Sequence, residues 1–477
     1  MTRYQALASD IESAIHEGVL QAGDRLPSVR QTSQSRKLSP STVFQAYYLL
    51  EARGLITARE RSGYFVAPRS DAVLPPVQVA SQPQDVSASV AISDTVFLML
   101  QAATRENVVP LGSPFPDPTL FPLEQLGRSM ACAARSFTAR STVDDLSPGK
   151  EALRRLIAQR YVARGVNVHH DEVVITNGAL EALNLCLSTV ARPGDAVIVE
   201  SPAFYGALQA IERLGMRAVE VATHPELGVD LDRLEHAIRQ HRAKACWLMP
   251  TFHNPLGATM PDDRKRELVA LLARHGIPLI EDDAYAELSF GETQLRPAKA
   301  WDTEGLVMHC SSFSKSLAPG YRIGWAAPGR YFQAVARQKL TTTLMSSMPA
   351  QLGLVDYLRR GGFDRHLRKL RQSLVARHAE VARAVCRHFP EGSCATRPQG
   401  SYFMWVEMPE AVDAMAMLQY AVAHRICIAP GPVFSSTGGF RHCVRLNFSH
   451  GLTERTDNAL KLLGRFACEA SGRRPAG

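Results

Sequence analysis

The chain has 477 residues, more than a single domain normally holds, so two or more folding units are expected. Its apolar share of 45% is ordinary for a globular protein with a sizeable core, and no apolar run is long enough to span a bilayer. The nine cysteines form no CxxC pair, which argues against a zinc site or a disulfide framework and fits a reducing cytoplasm, while a net charge of +8 permits a polyanionic partner without demanding one.

The first segment predicts three short helices and a hairpin. Tyr4, Leu7, Ile11 and Ile15 recur at helical spacing, and Gly18 and Gly23 mark the exit. Ser28-Val29-Arg30-Gln31 matches a capping box. Ser39 suits a second N-cap, with Pro40 at the first helical position. Val43, Ala46, Tyr47 and Leu50 then form one apolar stripe, and Ser41, Gln45 and Tyr48 lie opposite it with Phe44 beside them. Gly54–Thr57 and Tyr64–Val66 read as strands around the basic turn Arg59-Glu60-Arg61-Ser62-Gly63.

Helices followed by a basic hairpin suggest a helix-turn-helix with a wing, the helix from Pro40 entering the major groove of double-stranded DNA. Ser41, Thr42 and Gln45 would reach base edges or phosphates, and Arg30 and Arg61 the backbone. With Ser39 and Gly63 these make the candidate DNA-binding set. A small helical bundle with ordinary surface polar residues would show the same spacing. Gly23–Arg30, Ser39–Tyr47, Gly54–Ile56 and Ser62–Val66, in that order, resemble the GntR-type winged helix. Pro40 and Phe44 stand where several members of that family carry DNA-contacting arginines, so no base preference is carried over. This domain is assigned to residues 1–68 and a linker to 69–95, rich in Ala, Val, Pro, Ser and Gln without periodicity.

Beyond the linker, strands and helices alternate. Val173–Thr176, Ala196–Val199, Ala218–Val221, Ala245–Met249, Ile277–Ile280 and Leu306–Met308 are candidate strands, and Pro261–His275 is a helix between two of them. Such alternation implies an α/β unit with a mostly parallel sheet, whose chemistry sits at the C-terminal ends of the strands.

The strand ends are occupied by particular chemistry. Thr176-Asn177-Gly178-Ala179 opens a helix where a phosphate can meet backbone N–H groups. Phe204 offers an aromatic face, Asn254 a donor, and Glu281-Asp282-Asp283-Ala284-Tyr285 a carboxylate cluster that is costly unless a cation faces it. Ser311-Ser312-Phe313-Ser314-Lys315 crowds hydroxyls around one lysine, with Arg322 seven residues on. An amine that attacks a carbonyl must spend time uncharged, and a phosphate needs hydroxyls, amides and a guanidinium. Each loop alone is also an ordinary solvated turn; all of them in register describe a cradle for pyridoxal phosphate.

The region from about Val96 to Phe466 resembles fold-type I aminotransferases, and 96–470 is assigned to that domain. The resemblance implies that Lys315 is the Schiff-base lysine and catalytic residue, and that Asp282 partners the pyridine nitrogen. It implies further that Asn254 and Tyr285 bind the ring oxygen, that Phe204 stacks on the ring, and that Gly178, Ala179, Ser312, Ser314 and Arg322 surround the phosphate of pyridoxal 5'-phosphate. Arg445, in Val444-Arg445-Leu446-Asn447, matches the arginine that binds a substrate carboxylate. Asp144 stands where that family often has a tyrosine reaching across a dimer.

A winged helix joined to such a domain resembles the MocR type of bacterial transcriptional regulator. That resemblance implies a cytoplasmic homodimer that binds operator DNA and senses an amino-acid or amine effector through the cofactor. The alternative is an aminotransferase with a vestigial DNA-binding module, since every catalytic position is present. No metal is expected, and the tail Ser471–Gly477 is expected to be disordered.

Overall fold

The computed structural model describes residues 3–21, 23–52, 55–59, 63–66, 73–138, 148–291 and 295–477. The N-terminal unit consists of α1 (Arg3–His16), α2 (Val29–Arg36) and α3 (Pro40–Ala52), with the hairpin β1 (Ile56–Arg59) and β2 (Gly63–Val66) as its wing. The expected caps are present. Ser28 Oγ accepts from the Gln31 N–H at 3.2 Å and the Gln31 side chain accepts from the Ser28 N–H at 2.9 Å. Ser39 Oγ accepts from the Thr42 N–H at 3.2 Å, which satisfies a first-turn donor of α3. Leu7, Ile15, Leu26, Val43, Ala46, Tyr47 and Leu50 close a core of their own. Tyr47 anchors the turn between helices, donating to Pro27 O at 2.7 Å and bonding Thr32 Oγ1 at 2.6 Å.

The large unit is built on a nine-stranded sheet. Its strands are β3 (Ser87–Ala88), β4 (Val174–Thr176), β5 (Ala196–Ser201), β6 (Arg217–His224), β7 (Gly228–Val229), β8 (Ala245–Leu248), β9 (Leu279–Asp282), β10 (Val307–Ser312) and β11 (Gly324–Ala327). The order is β3-β6-β5-β8-β9-β10-β11-β4, with β7 paired to β6. Strands β6, β5, β8, β9 and β10 run parallel, and β11 is antiparallel to both its neighbours. Their continuous apolar runs are buried on both faces, as a covered parallel sheet requires. Helices α4 (Ser93–Ala103), α5 (Leu123–Ala134), α6 (Glu151–Ala163), α7 (Ala179–Val190), α8 (Tyr205–Arg213), α9 (Leu231–His241) and α10 (Asp262–His275) belong to this unit. A second, four-stranded antiparallel sheet joins β12 (Cys394–Ala395), β13 (Phe403–Glu407), β15 (Cys443–Asn447) and β14 (Ala429–Pro430). No helix among the described residues is long and apolar enough to cross a membrane.

Three expectations change. Strand β9 starts two residues later than Ile277 and carries Glu281 and Asp282 within it, so the carboxylates belong to the sheet and not to the loop after it. The reading of 69–95 as a free linker fails for its described part. Leu74 and Val77 are buried, Ser81 bonds the backbone of Ser201 and Thr223, Asp85 holds His236 and His241, and β3 pairs antiparallel with β6. Strand β6 would otherwise present an open edge, and the segment supplies the missing backbone partners. The tail is likewise pinned: the helix Glu454–Ser471 is followed by a return in which Ala476 N–H donates to Phe389 O at 2.8 Å and Glu391 N–H to Arg474 O at 2.8 Å.

Candidate functional site

A cavity of about 670 Å³ opens at the C-terminal ends of the central strands. Ala179, Phe204, Asp282, Tyr285, Ser312, Ser314, Lys315 and Arg322 all line it, although they come from separate stretches of chain. Gly178, Asn254 and Arg445 lie immediately behind this wall, each in contact with a neighbour in the set.

Lys315 follows β10 and reaches the cavity floor. Its Nζ donates to Pro114 O at 2.8 Å and lies 4.5 Å from the centre of the Phe115 ring. Burial, then the nearby cation of Arg445, pushes the amine down to about 7 against the opposing pull of Asp282. A lysine that is half uncharged near neutrality is competent to attack an aldehyde. We expect the rate at which pyridoxal phosphate links to the cofactor-free protein to rise with pH through a midpoint near 7. A stopped-flow absorbance series checks this, and a midpoint near the ordinary lysine value of 10.5 would contradict the environment described.

The three acidic residues divide their work by position. Glu281 accepts from the N–H groups of Ala298 and Lys299 at 2.6 and 3.0 Å. Asp283 pairs with Arg164 at 2.6 Å and with His309 Nε2 at 2.8 Å. Only Asp282 lines the cavity, and burial there pushes its carboxyl up to about 7. A cationic ring nitrogen is the partner that would restore its charge.

The far corner fits a phosphate. Helix α7 begins at Ala179, presenting free N–H groups and a positive helix end. Gly178 holds φ +88°, and a Cβ there would lie 2.4 Å from Arg322 Nη2, so glycine is what lets the guanidinium close on this turn. The Ser314 hydroxyl is buried and has no hydrogen-bond partner among the described residues. Ser312 Oγ accepts from the Ser314 N–H at 3.3 Å. An unpartnered hydroxyl, open amides and a guanidinium suit a doubly charged phosphate.

Asn254 Nδ2 donates to the Tyr285 hydroxyl at 3.4 Å, and Asn254 Oδ1 accepts from Arg445 Nη1 at 3.1 Å. Arg445, on β15, is fully buried, stacks 4.0 Å over the Phe403 ring and donates through Nη2 to Gly112 O at 2.7 Å. Its Nε has no partner among the described residues. A buried guanidinium with a free donor and, among the described residues, no carboxylate partner is poised for an anion.

The segment Gly112–Phe115 escaped the sequence reading. Besides Arg445 and Lys315, it is held by Tyr402, whose hydroxyl donates to Pro114 O at 3.0 Å, and by Asn447 Nδ2, which donates to Ser113 O and Phe115 O. The Gly-Ser-Pro-Phe-Pro string was the available signal, a breaker-rich stretch with an apolar ring at its centre.

On the N-terminal unit, Arg30, Ser39, Ser41, Gln45 and Gly63 are exposed or partly so and Thr42 is half-exposed, with Ser39 Oγ bonded to both Ser41 Oγ and Thr42 Oγ1 at 2.8 Å. Tyr48, expected on the open face, is half-buried. Arg61 and Asp144 lie outside the described residues.

Comparison with known proteins agrees with both halves. Residues 3–66 match the model of bacterial regulatory proteins of the gntR family, and residues 131–463 match aminotransferase class I and II. The uncharacterized HTH-type transcriptional regulator YdcR of Escherichia coli (strain K12) is 46% identical over 469 residues, covering 98% of this chain and 100% of the relative. The multiple substrate aminotransferase of Thermococcus profundus superposes with a TM-score of 0.73 at 26% identity, over 79% of this chain and 95% of that one. LysN, the alpha-aminoadipate aminotransferase of Thermus thermophilus, solved with N-(5'-phosphopyridoxyl)-L-leucine, gives 0.71 at 27% identity over 80% of this chain and 100% of its own. The cofactor of this fold is pyridoxal 5'-phosphate, and the cavity residues fit it. With its two halves matched separately and 98% of its length shared with an HTH-type transcriptional regulator, the chain belongs to the aminotransferase class I and II family, in the branch of GntR-type regulators that carry a DNA-binding winged helix ahead of the aminotransferase fold.

Proposed function

We propose that this protein is a DNA-binding transcriptional regulator that uses pyridoxal 5'-phosphate, held by Lys315, to sense an amino acid or amine. The observation that carries this reading is the presence, in one chain, of a capped helix with exposed Ser41 and Gln45 and of a full cofactor cradle. It acts as a homodimer in the cytoplasm, so that two winged helices meet a paired operator site and each raises the local concentration of the other.

When bound, pyridoxal phosphate supplies an aldehyde that exchanges one amine for another and a ring that takes up electrons. The chain's own residues do the rest. Gly178, Ala179, Ser312, Ser314 and Arg322 hold the phosphate. Phe204 covers the ring, Asn254 and Tyr285 address its oxygen, and Asp282 keeps its nitrogen protonated. Lys315 offers the amine, and Arg445 the site for a ligand carboxylate. Both cations hold the same loop, Lys315 through Pro114 O and Arg445 through Gly112 O. The Lys315 amine cannot donate to Pro114 O while it is joined to the cofactor; a ligand that displaces it frees the amine for that bond, and the ligand carboxylate competes with Gly112 O for Arg445, so the hold on Gly112–Phe115 changes with the ligand and is the proposed route to the winged helices.

The competing reading, an amino-acid aminotransferase, is favoured by the lowered pKa of Lys315, which suits turnover as well as sensing. The two separate on rate and on DNA. Operator binding that responds to an amino acid supports regulation, whereas steady transamination at ordinary enzyme speeds with unresponsive DNA binding supports the enzyme.

The DNA face has its own test. Arg30→Ala is expected to weaken binding to specific and unrelated sequences alike and to reduce the salt slope by about one unit. Gln45→Ala is expected to change preference among sites by roughly 1–3 kcal/mol, the worth of a bidentate base contact. Binding isotherms over a salt series separate them, and identical effects from both would contradict the groove assignment.

A further inference from the structure

We infer that His366 is a positioning residue for Lys315: it fixes the loop that carries the lysine to the helix that also supports Arg445. The inference rests on the assignment of Lys315 as the cofactor's lysine and adds to it what sets the depth of the amine.

The lysine loop has two ties. At its start Phe313 O accepts from the N–H groups of Leu317 and Ala318 at 2.9 and 3.2 Å, which curls the chain around Lys315. One residue beyond the lysine, Ser316 O accepts from His366 Nε2 at 2.7 Å. A carbonyl can only accept, so Nε2 carries a proton whatever the charge on the ring. His366 is 9% exposed, and burial holds its pKa below the ordinary 6.5 against the pull of the Ser316 bond, so the donor is the neutral ring.

His366 lies on the long helix Gly362–His388, which touches both halves of the site. Its first turns, at Phe363 and Leu367, share a core with Phe313, Leu317 and Ile323 of the lysine loop. Its later turns, at Leu370, Leu374 and Val381, share another with Val444 and Leu446, the chain neighbours of Arg445. Apolar contact resists separation but not sliding, because it is non-directional. The His366 bond is directional and shielded from water, and it sets the register of the lysine loop on the helix. The amine is then held among Asp282, Arg322, Arg445 and the Tyr285 ring, at a depth where burial outweighs the pull of the Asp282 carboxylate.

The test uses cofactor-free full-length protein and pyridoxal phosphate, with the rate of linkage followed by absorbance from neutrality to the ordinary lysine value of 10.5. In His366→Met the donor is gone, Ser316 O draws water in beneath the loop, and the amine loses part of its burial. The midpoint is expected to rise from about 7 to about 8, which takes the uncharged fraction at pH 7 from about a half to about a tenth and slows linkage there about fivefold. His366→Gln, whose side-chain amide reaches the place of Nε2, is expected to restore the midpoint. A loss of packing alone would scale the rate at every pH and leave the midpoint where it was. Thermal melts check that each variant is folded; if His366→Met is not, His366→Asn, whose amide stops short of that place, takes its part. An unchanged midpoint in the variant without the donor, or one that His366→Gln does not restore, would overturn the inference alone. No linkage in the unaltered protein would overturn the assignment of Lys315, and this inference with it.

Discussion

Lys315→Ala is expected to give a protein that still binds operator DNA and no longer answers to any amino acid. In the unaltered protein an effective amino acid should shift operator affinity by roughly 5–150-fold, the range of a coupling of about 1–3 kcal/mol. Because coupling is reciprocal, operator DNA should shift ligand affinity by the same factor. In the proposed function Lys315 meets the cofactor aldehyde, so its loss removes the exchange, and with it the freed amine that can tie Pro114 O. The fold should tolerate the change. The substitution takes a buried cation out of the interior, and Asp282, already pushed up to about 7, can hold a proton instead. Fluorescence anisotropy of labelled operator, with and without ligand, reads the coupling, and borohydride reduction followed by peptide mapping reads the linkage. A coupling that survives in Lys315→Ala would place sensing elsewhere in the chain.

Asp283→Ala should be the most destabilising single change at the base of the site. Asp283 lies between the guanidinium of Arg164 and the ring of His309, whose Nδ1 bonds the Tyr161 hydroxyl at 2.6 Å; that hydroxyl also accepts from Trp325 Nε1 at 3.0 Å. Removing the carboxylate leaves Arg164 as a buried charge without its counter-ion, which costs about 3–5 kcal/mol. For a unit of this size that corresponds to a melting temperature lower by roughly 5 °C. The pH dependence has a defined sign. Burial by itself would raise the Asp283 carboxyl, but Arg164 and His309 outweigh it and hold the group below its ordinary value of 3.8. A carboxyl with a lowered folded-state pKa contributes its stability above the unfolded value and loses it below. The gap between the two proteins should therefore stay constant from neutrality to about pH 5 and close as the pH falls through the ordinary carboxylate range. Thermal melts across that range measure it. A gap that widens on acidification would mean the pair is not what Asp283 contributes.

Those two residues differ in how visible they are. Lys315 stands in a string whose chemistry is local: hydroxyls, an amine and an arginine within one short loop, directly after an apolar strand. The caps at Ser28 and Ser39 are local too, because a cap is a contract between residues three apart, and the bonds formed as the spacing required. Strand periodicity and the rule that ligands sit at strand C-terminal ends located Gly178, Phe204, Asn254 and Asp282 around one space.

The family resemblance singled out Asp282, but what Glu281 and Asp283 do was decided only in three dimensions. By residue type the three carboxylates are equivalent, and nothing in the row says which amides or cations the other two meet. Their partners, Ala298 and Lys299 for one and Arg164 and His309 for another, come from other elements, and the remaining carboxylate is left for the cavity. The loop at Gly112–Phe115 has the same character: it matters because Arg445 and Tyr402, far along the chain, donate to its carbonyls. The segment before α4 and the tail after Ser471 look free in the sequence for the same physical reason. Backbone hydrogen bonds carry no side-chain signature, so a stretch whose order comes from lending its N–H and C=O groups to a remote edge looks, in sequence, like a stretch with no order at all.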